Sequence, residues 1–405
     1  MHATGEKAAI GSGDVAPWQL EFQQLVNESA LLNMRLNELS EALFAPADRK
    51  VLRKFNTTET ANLLDISDTY LREITAAGLA GEVQVTPTGR RFYSLAEINQ
   101  IRFALDAKLP APKYVPRRRN GETCQVLACV NYKGGSGKTT QSVHLAQYLA
   151  LQGYRVLAID LDPQGSMTSL MGYEPERMQP DETLYGAVRY EGATKPLSEI
   201  AVRTYFTGLD LVPAGTFLME IEYEVARVIG DRRHEKFFNR LPRVLMEVGE
   251  HYDVIVLDTA PNLGFATLGS MCSATGLLLT IHPHMLDTLS ARQYLSMFTQ
   301  TIQTLIDAGA ELNLAFVRYL FTRREINDNA QTKIVTLLRS LFEDRIMRSE
   351  VLKSVAIAEA QLARQTLYDA PRNTLRKSTV ERALESMNAV NAEIEGLMHQ
   401  AWRRL

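Results

Sequence analysis

The eight residues Lys133–Gly134–Gly135–Ser136–Gly137–Lys138–Thr139–Thr140 stand between an apolar run at 125–131 and an amphipathic stretch carrying Val143, Leu145, Ala146 and Leu149. The glycines let successive backbone N–H groups turn inward and wrap a polyphosphate, which then meets the positive end of the following helix. In such a loop Lys138 contacts the β- and γ-phosphates, and the Thr139 hydroxyl ligates Mg²⁺. Strand, loop and helix in that order separate this arrangement from an ordinary glycine-rich turn.

Downstream, apolar runs alternate with amphipathic helical segments, with strand candidates at 125–131, 155–160, 209–213, 254–258, 277–281 and 314–319. Near-continuous apolar strands with helices between them predict an α/β fold, a mostly parallel sheet covered by helices on both faces. Two of these runs end in carboxylates, Asp160 and Asp258, and Asp162 comes two residues after the first. A carboxylate at the C-terminal end of a parallel strand faces the phosphate crevice, where it holds Mg²⁺ water or orients a nucleophilic water.

The loop departs from the usual phosphate-binding pattern at one place. Tyr132 stands where a glycine is expected, and an extra lysine, Lys133, opens the loop. This form, KGGxGKTT, resembles the deviant Walker A motif of the ParA/MinD family of dimeric ATPases. The resemblance implies that ATP is held by residues 133–140, that Lys133 reaches the partner subunit's nucleotide, and that Thr139, Asp160 and Asp258 serve Mg²⁺. It also implies that Asp162 positions the attacking water, so that Lys133 and Asp162 carry the catalysis. Residues 159–165 and 259–264 are similar to that family's first and second switch segments. The stretches 317–323, 338–342 and 364–368 resemble the RepA branch of repABC-type replicons. A helical N-terminus and a winged helix-turn-helix before the ATPase match the layout of the larger plasmid-partition members. The resemblance further implies a weak ATPase that segregates a low-copy plasmid and represses its own operon. It would act as a homodimer, bind operator and non-specific DNA, and be stimulated by a centromere-binding ParB-type partner. It would be cytoplasmic and nucleoid-associated, with no membrane partner.

Ahead of the ATPase region (123–405), residues 1–17 read as a disordered tail. Residues 18–46 read as a helix with Phe22, Leu25, Leu32, Leu36, Leu39 and Leu43 at spacings of three, four and seven. That seam suits a helix packed on its own domain as well as a dimer-forming helix. Residues 51–108 show helix, tight turn, helix, hairpin and helix, with caps expected at Thr57–Glu59, at Ser67 or Asp68, and at Ser94. That is the order of a winged helix-turn-helix, whose second helix enters the major groove while the wing lies along phosphates. Thr69, Tyr70 and Arg72 are then the groove-facing residues, and Arg90 and Arg91 the wing. Residues 51–120 hold 11 Lys/Arg against 7 Asp/Glu, although the whole chain is at −3. The Pro-rich stretch 109–122, with Arg117–Arg118–Arg119, reads as an extended linker.

Composition closes off other classes. The 405 residues are 45% hydrophobic and 22% charged, which argues against bulk disorder. Three cysteines without a CxxC pair argue against a disulfide framework or a zinc ribbon and suit buried thiols. No 18-residue apolar run occurs, and His282 and His284 have no obvious third ligand. The basic residues Arg323, Arg324, Arg339, Arg345, Arg348 and Lys353 suit solvated faces and a non-specific DNA surface equally. The last helical segment, 379–404, carries glutamates among its basic residues, which favours packing over lipid binding. Two rival readings are an ATP-sensing transcription repressor without a motor role and a MinD-like membrane-cycling ATPase.

Overall fold

The computed structural model describes residues 17–43, 50–369 and 376–404. The expected tail and the helix stop at Pro46 lie outside the described residues. Contacts divide the chain into two units, one ending at Ala45 and one running from Pro46. The first contains helix α1 (Pro17–Leu43), on which the seam residues Phe22, Leu25 and Leu32 are exposed.

The second unit begins with strand β1 (Phe55–Asn56), helix α2 (Thr57–Leu64) and helix α3 (Asp68–Ala76). Strands β2 (Gln84–Val85) and β3 (Arg91–Tyr93) and helix α4 (Leu95–Asp106) come next. The cap of α2 lies one residue ahead of the expected position. The Asn56 side chain accepts from the Glu59 N–H while the Glu59 carboxylate accepts from the Asn56 N–H, a reciprocal pair that satisfies two orphan donors. Ser67 and Ser94 cap α3 and α4. Leu71, Ile74, Tyr93, Ile98 and Ile101 are buried beneath these elements.

The main sheet has seven strands, of which β4 (Gln125–Val130), β5 (Val156–Asp160), β6 (Val202–Arg203) and β7 (Leu209–Val212) come first. Strands β8 (Val254–Asp258), β9 (Gly276–Ile281) and β10 (Phe316–Phe321) complete it, in the order β10-β9-β4-β8-β5-β7-β6. All neighbours are parallel except β6 with β7, a two-residue edge pair too short to carry a sequence period. Along β4, Leu127 and Cys129 join one core while Val126, Ala128 and Val130 join the other, so both faces of the sheet are buried. Helix α5 (Lys138–Gln152) and the C-terminal helix Lys377–Ala401 cover the first face. The core of the α2–α4 region is continuous with that layer.

Residues 109–122 form no helix or strand and are bonded at both ends. The Asp106 carboxylate accepts the N–H groups of Lys113, Tyr114 and Val115. Arg118 binds Asp253 and the Gly249 carbonyl, and Arg404 pairs with Glu122. Asp106 therefore holds the start of the segment to the end of α4, while Arg118 and Glu122 hold its end to Asp253 and Arg404. The apolar residues of the C-terminal helix, including Ala383, Met387, Val390 and Ile394, are buried as packing residues. No helix among the described residues is long and apolar enough to cross a membrane.

Candidate functional site

Strand β4 is central, with β8 on one side and β9 on the other, so its C-terminal end opens at the point where the chain's direction of winding reverses. The loop 133–137 leaves β4 there. Gly135 (φ 74°) and Gly137 (φ 84°) adopt the left-handed conformation that side chains resist, and this curls the backbone ahead of α5. The outer wall is braced by the end of β10: the Thr322 hydroxyl donates to the Ser136 carbonyl at 2.7 Å, and Arg323 donates to the Gly135 carbonyl at 3.2 Å. The Thr280 hydroxyl bonds the Ser136 hydroxyl at 3.0 Å.

The loop borders a cavity of about 800 Å³. Gly134 through Thr140 line it, together with residues that include Asp162, Ser166, Pro261, Arg323, Lys353 and Gln361. Lys138 is 6% exposed, with Nζ 3.4 Å from the Lys133 carbonyl. Burial holds its pKa below the usual lysine value, opposed by Asp258 and Asp162. Gln361 donates to the Thr140 hydroxyl at 2.9 Å.

Asp160 and Asp258 end neighbouring strands in register and are fully buried. One Asp160 oxygen accepts from both the N–H and the hydroxyl of Thr168, and the other accepts from the Asp162 N–H. Asp258 Oδ1 accepts from the Ser142 hydroxyl, while Oδ2 is buried without a hydrogen-bond partner. Burial raises both carboxyls above the usual range, and the nearby charges of Asp160 and Asp162 raise Asp258 further. The buried Asp258 oxygen, beside a second acid and with the Thr139 hydroxyl acting on the same carboxylate, is a hard oxygen donor set, which suits Mg²⁺. No cluster of three or more His, Cys, Asp or Glu side chains that could hold a metal occurs among the described residues.

Lys133 does not line the large cavity. It forms an ion pair with Asp287 in a smaller pocket of about 110 Å³, where His282 also bonds Asp287 at 2.8 Å. His282 thus has a partner that is not a metal. Thr69, Tyr70, Arg72 and Arg90 lie on α3 or the hairpin together with Arg91, and Tyr70, Arg72 and Arg90 are exposed while Arg91 is half-buried. In the C-terminal basic group, Arg324 and Arg339 pair with Glu350 and Lys353 pairs with Glu325, whereas Arg345 is exposed. The three cysteines are free thiols, with Cys129 and Cys272 buried.

Sequence reasoning missed a row of polar side chains on the buried face of α5. Gln141 bonds Asn391, Gln147 bonds Thr366 and Tyr205, and Tyr148 bonds Glu395. His144 lies 2.7 Å from the Thr140 carbonyl through Nδ1, and its Nε2 accepts from the Leu367 N–H. Their spacing of three and four along the helix was the available signal. Burial depresses the His144 pKa from 6.5 to about 4. The unfolded chain therefore takes up a proton as pH falls below 6.5, and the folded chain does so only near 4. Stability present above pH 6.5 should fall by about 3 kcal/mol towards pH 4. Urea denaturation at pH 7.5 and pH 5 should show the larger part of this loss, and a His144→Gln variant should show a smaller one.

A glycine-rich loop at the centre of a parallel sheet, with two strand-end acids behind it, defines a P-loop nucleotide-binding fold. The profile of an AAA domain matches residues 124–315. Over 400 residues the chain is 42% identical to "Putative replication protein A" of Sinorhizobium fredii, covering 97% of this chain and 98% of that one. Protein SopA of Escherichia coli K12 is 28% identical over 333 residues, covering 80% and 83%. A solved structure described as a partition protein superposes with a TM-score of 0.64 at 19% identity, covering 92% and 98%, and supports the fold. The chain belongs to the ParA/MinD-type ATPase family, alongside this replication protein A relative.

Proposed function

We propose that this chain is an ATP-hydrolysing plasmid-partition protein that binds DNA, dimerises with ATP and represses its own operon. The observation that carries this reading is the opening Lys133-Gly-Gly loop over Asp160 and Asp258, with Asp162 on the cavity wall. ATP would lie along residues 134–140, with Lys138 on its phosphates. Thr139, Asp160 and Asp258 would hold Mg²⁺, which neutralises phosphate charge when bound. Asp162 would orient the attacking water. Lys133, half-exposed and outside its own large cavity, would complete the site of a second copy. A centromere-binding partner would stimulate turnover and release the dimer from nucleoid DNA.

The α3 face and the hairpin would supply the DNA contacts. Removing Arg72 should relax preference at one or two base pairs, at about 1–3 kcal/mol for a bidentate base contact. Replacing Arg90 and Arg91 should weaken binding to every sequence and reduce the salt slope by about two. Binding of the full chain to its own upstream DNA and to random duplex across a salt series measures both effects. Equal affinity for the two duplexes at every salt would contradict operator recognition.

A further inference from the structure

Arg102 on α4 is 2% exposed, and its guanidinium ends at two helix termini at once. Nη2 donates to the Leu151 carbonyl at 2.7 Å and to the Leu63 carbonyl at 3.1 Å, while Nη1 donates to Asn99 Oδ1 at 2.6 Å. Leu151 lies in the last turn of α5 and Leu63 in the last turn of α2, where carbonyls lack intrahelical partners and carry the negative end of the helix dipole. Gly153 makes room for this contact. A Cβ there would lie 3.1 Å from Arg102 Nη1 and 3.2 Å from Cδ, and its φ of 107° disfavours any side chain.

The two helices lead to different sites. At its other end α5 begins at the phosphate loop, about 22 Å away along a rigid rod. Past Leu64 the chain turns directly into α3, which exposes Tyr70 and Arg72. We propose that Arg102 couples the phosphate-binding helix to the α2–α3 pair, so that nucleotide occupancy changes how firmly that pair is held and how well it engages DNA. The proposal rests on the nucleotide and DNA reading above. Its physical basis is that a buried guanidinium cannot lose either carbonyl cheaply, so a shift of α5 must carry α2 with it or break a charge-assisted bond. A second tie runs parallel to it: Lys50 Nζ donates to the Leu170 and Arg364 carbonyls and pairs with Asp369. Asp369 in turn accepts from Thr366, which bonds Gln147 of α5. This second tie, just ahead of β1, does not involve Arg102, so docking and coupling can be tested separately.

The test is hydrogen–deuterium exchange of the full chain with and without ATP and Mg²⁺, in the parent, Arg102→Met and Arg102→Lys. In the parent, ATP should change exchange of amides 57–76 several-fold. Arg102→Met should bind ATP within about twofold of the parent yet lose that response. Arg102→Lys, which keeps the charge, should recover part of it. A parent that binds ATP by calorimetry but shows no change at 57–76 overturns the coupling, even if the variants fail to fold. A full response in Arg102→Met overturns it as well. Absence of ATP binding in the parent overturns the functional reading and the coupling together. An exchange response without any DNA affinity supports the coupling and removes only its DNA output.

Discussion

Lys138→Ala should weaken ATP binding by well over tenfold. The ammonium sits almost wholly buried at the loop, with Asp258 and Asp162 both acting on it electrostatically. A charge-assisted hydrogen bond to phosphate contributes of order 1.5–3 kcal/mol, which alone is one to two decades in affinity. Losing the cation also leaves Asp258 and Asp162 facing a polyanion without this positive charge, so the loss should sit at the upper end. Titration calorimetry with a slowly hydrolysed ATP analogue measures it. Affinity equal to the parent's would remove residues 134–140 as the phosphate site.

Asp162→Ala should separate binding from chemistry. Asp162 lines the cavity, and its Oδ1 accepts from the Gln164 N–H, whereas fully buried Asp160 accepts three bonds across its two oxygens. Asp162 therefore has an oxygen on the cavity wall to offer to a water. ATP and Mg²⁺ should still bind, and turnover should fall by about 10²–10⁴, the usual worth of a positioned base. The ATP-bound form should then accumulate on DNA. Turnover at the parental rate would show that another group positions the water.

Much of this site is local in the chain and so legible in the sequence. The loop, its succeeding helix, and the acids ending β5 and β8 each lie within a single strand–turn–helix segment. The strand-end placement of Asp160 beside Asp258 is a consequence of the parallel sheet that the apolar runs predict. The parts that were not legible depend on distant partners. Thr322 braces Ser136 across 186 positions, and Gln141 meets Asn391 across 250, contacts that no local period encodes. The two-residue strands β1 and β6 are too short to alternate visibly. Residues 109–122 read as a linker because they are Pro-rich, charged and without apolar periodicity; their anchoring depends on Asp253 and Arg404, which lie far along the chain. The cap of α2 differs by one residue from the expected one because Asn56, Thr57 and Thr58 are all competent acceptors, and only Asn56 stands three residues ahead of Glu59.

Completion of each nucleotide site by Lys133 from a second copy is tested most directly by mixing two inactive proteins, Lys133→Ala and Asp162→Ala, and measuring ATP turnover with DNA present. In a mixed dimer the Lys133→Ala subunit keeps its own Asp162 and receives Lys133 from its partner, so one of the two sites is whole. With random pairing in a symmetric dimer, turnover should recover to about a quarter of the parental rate. A mixture as inactive as either variant alone would contradict this and place Lys133 in its own subunit's site.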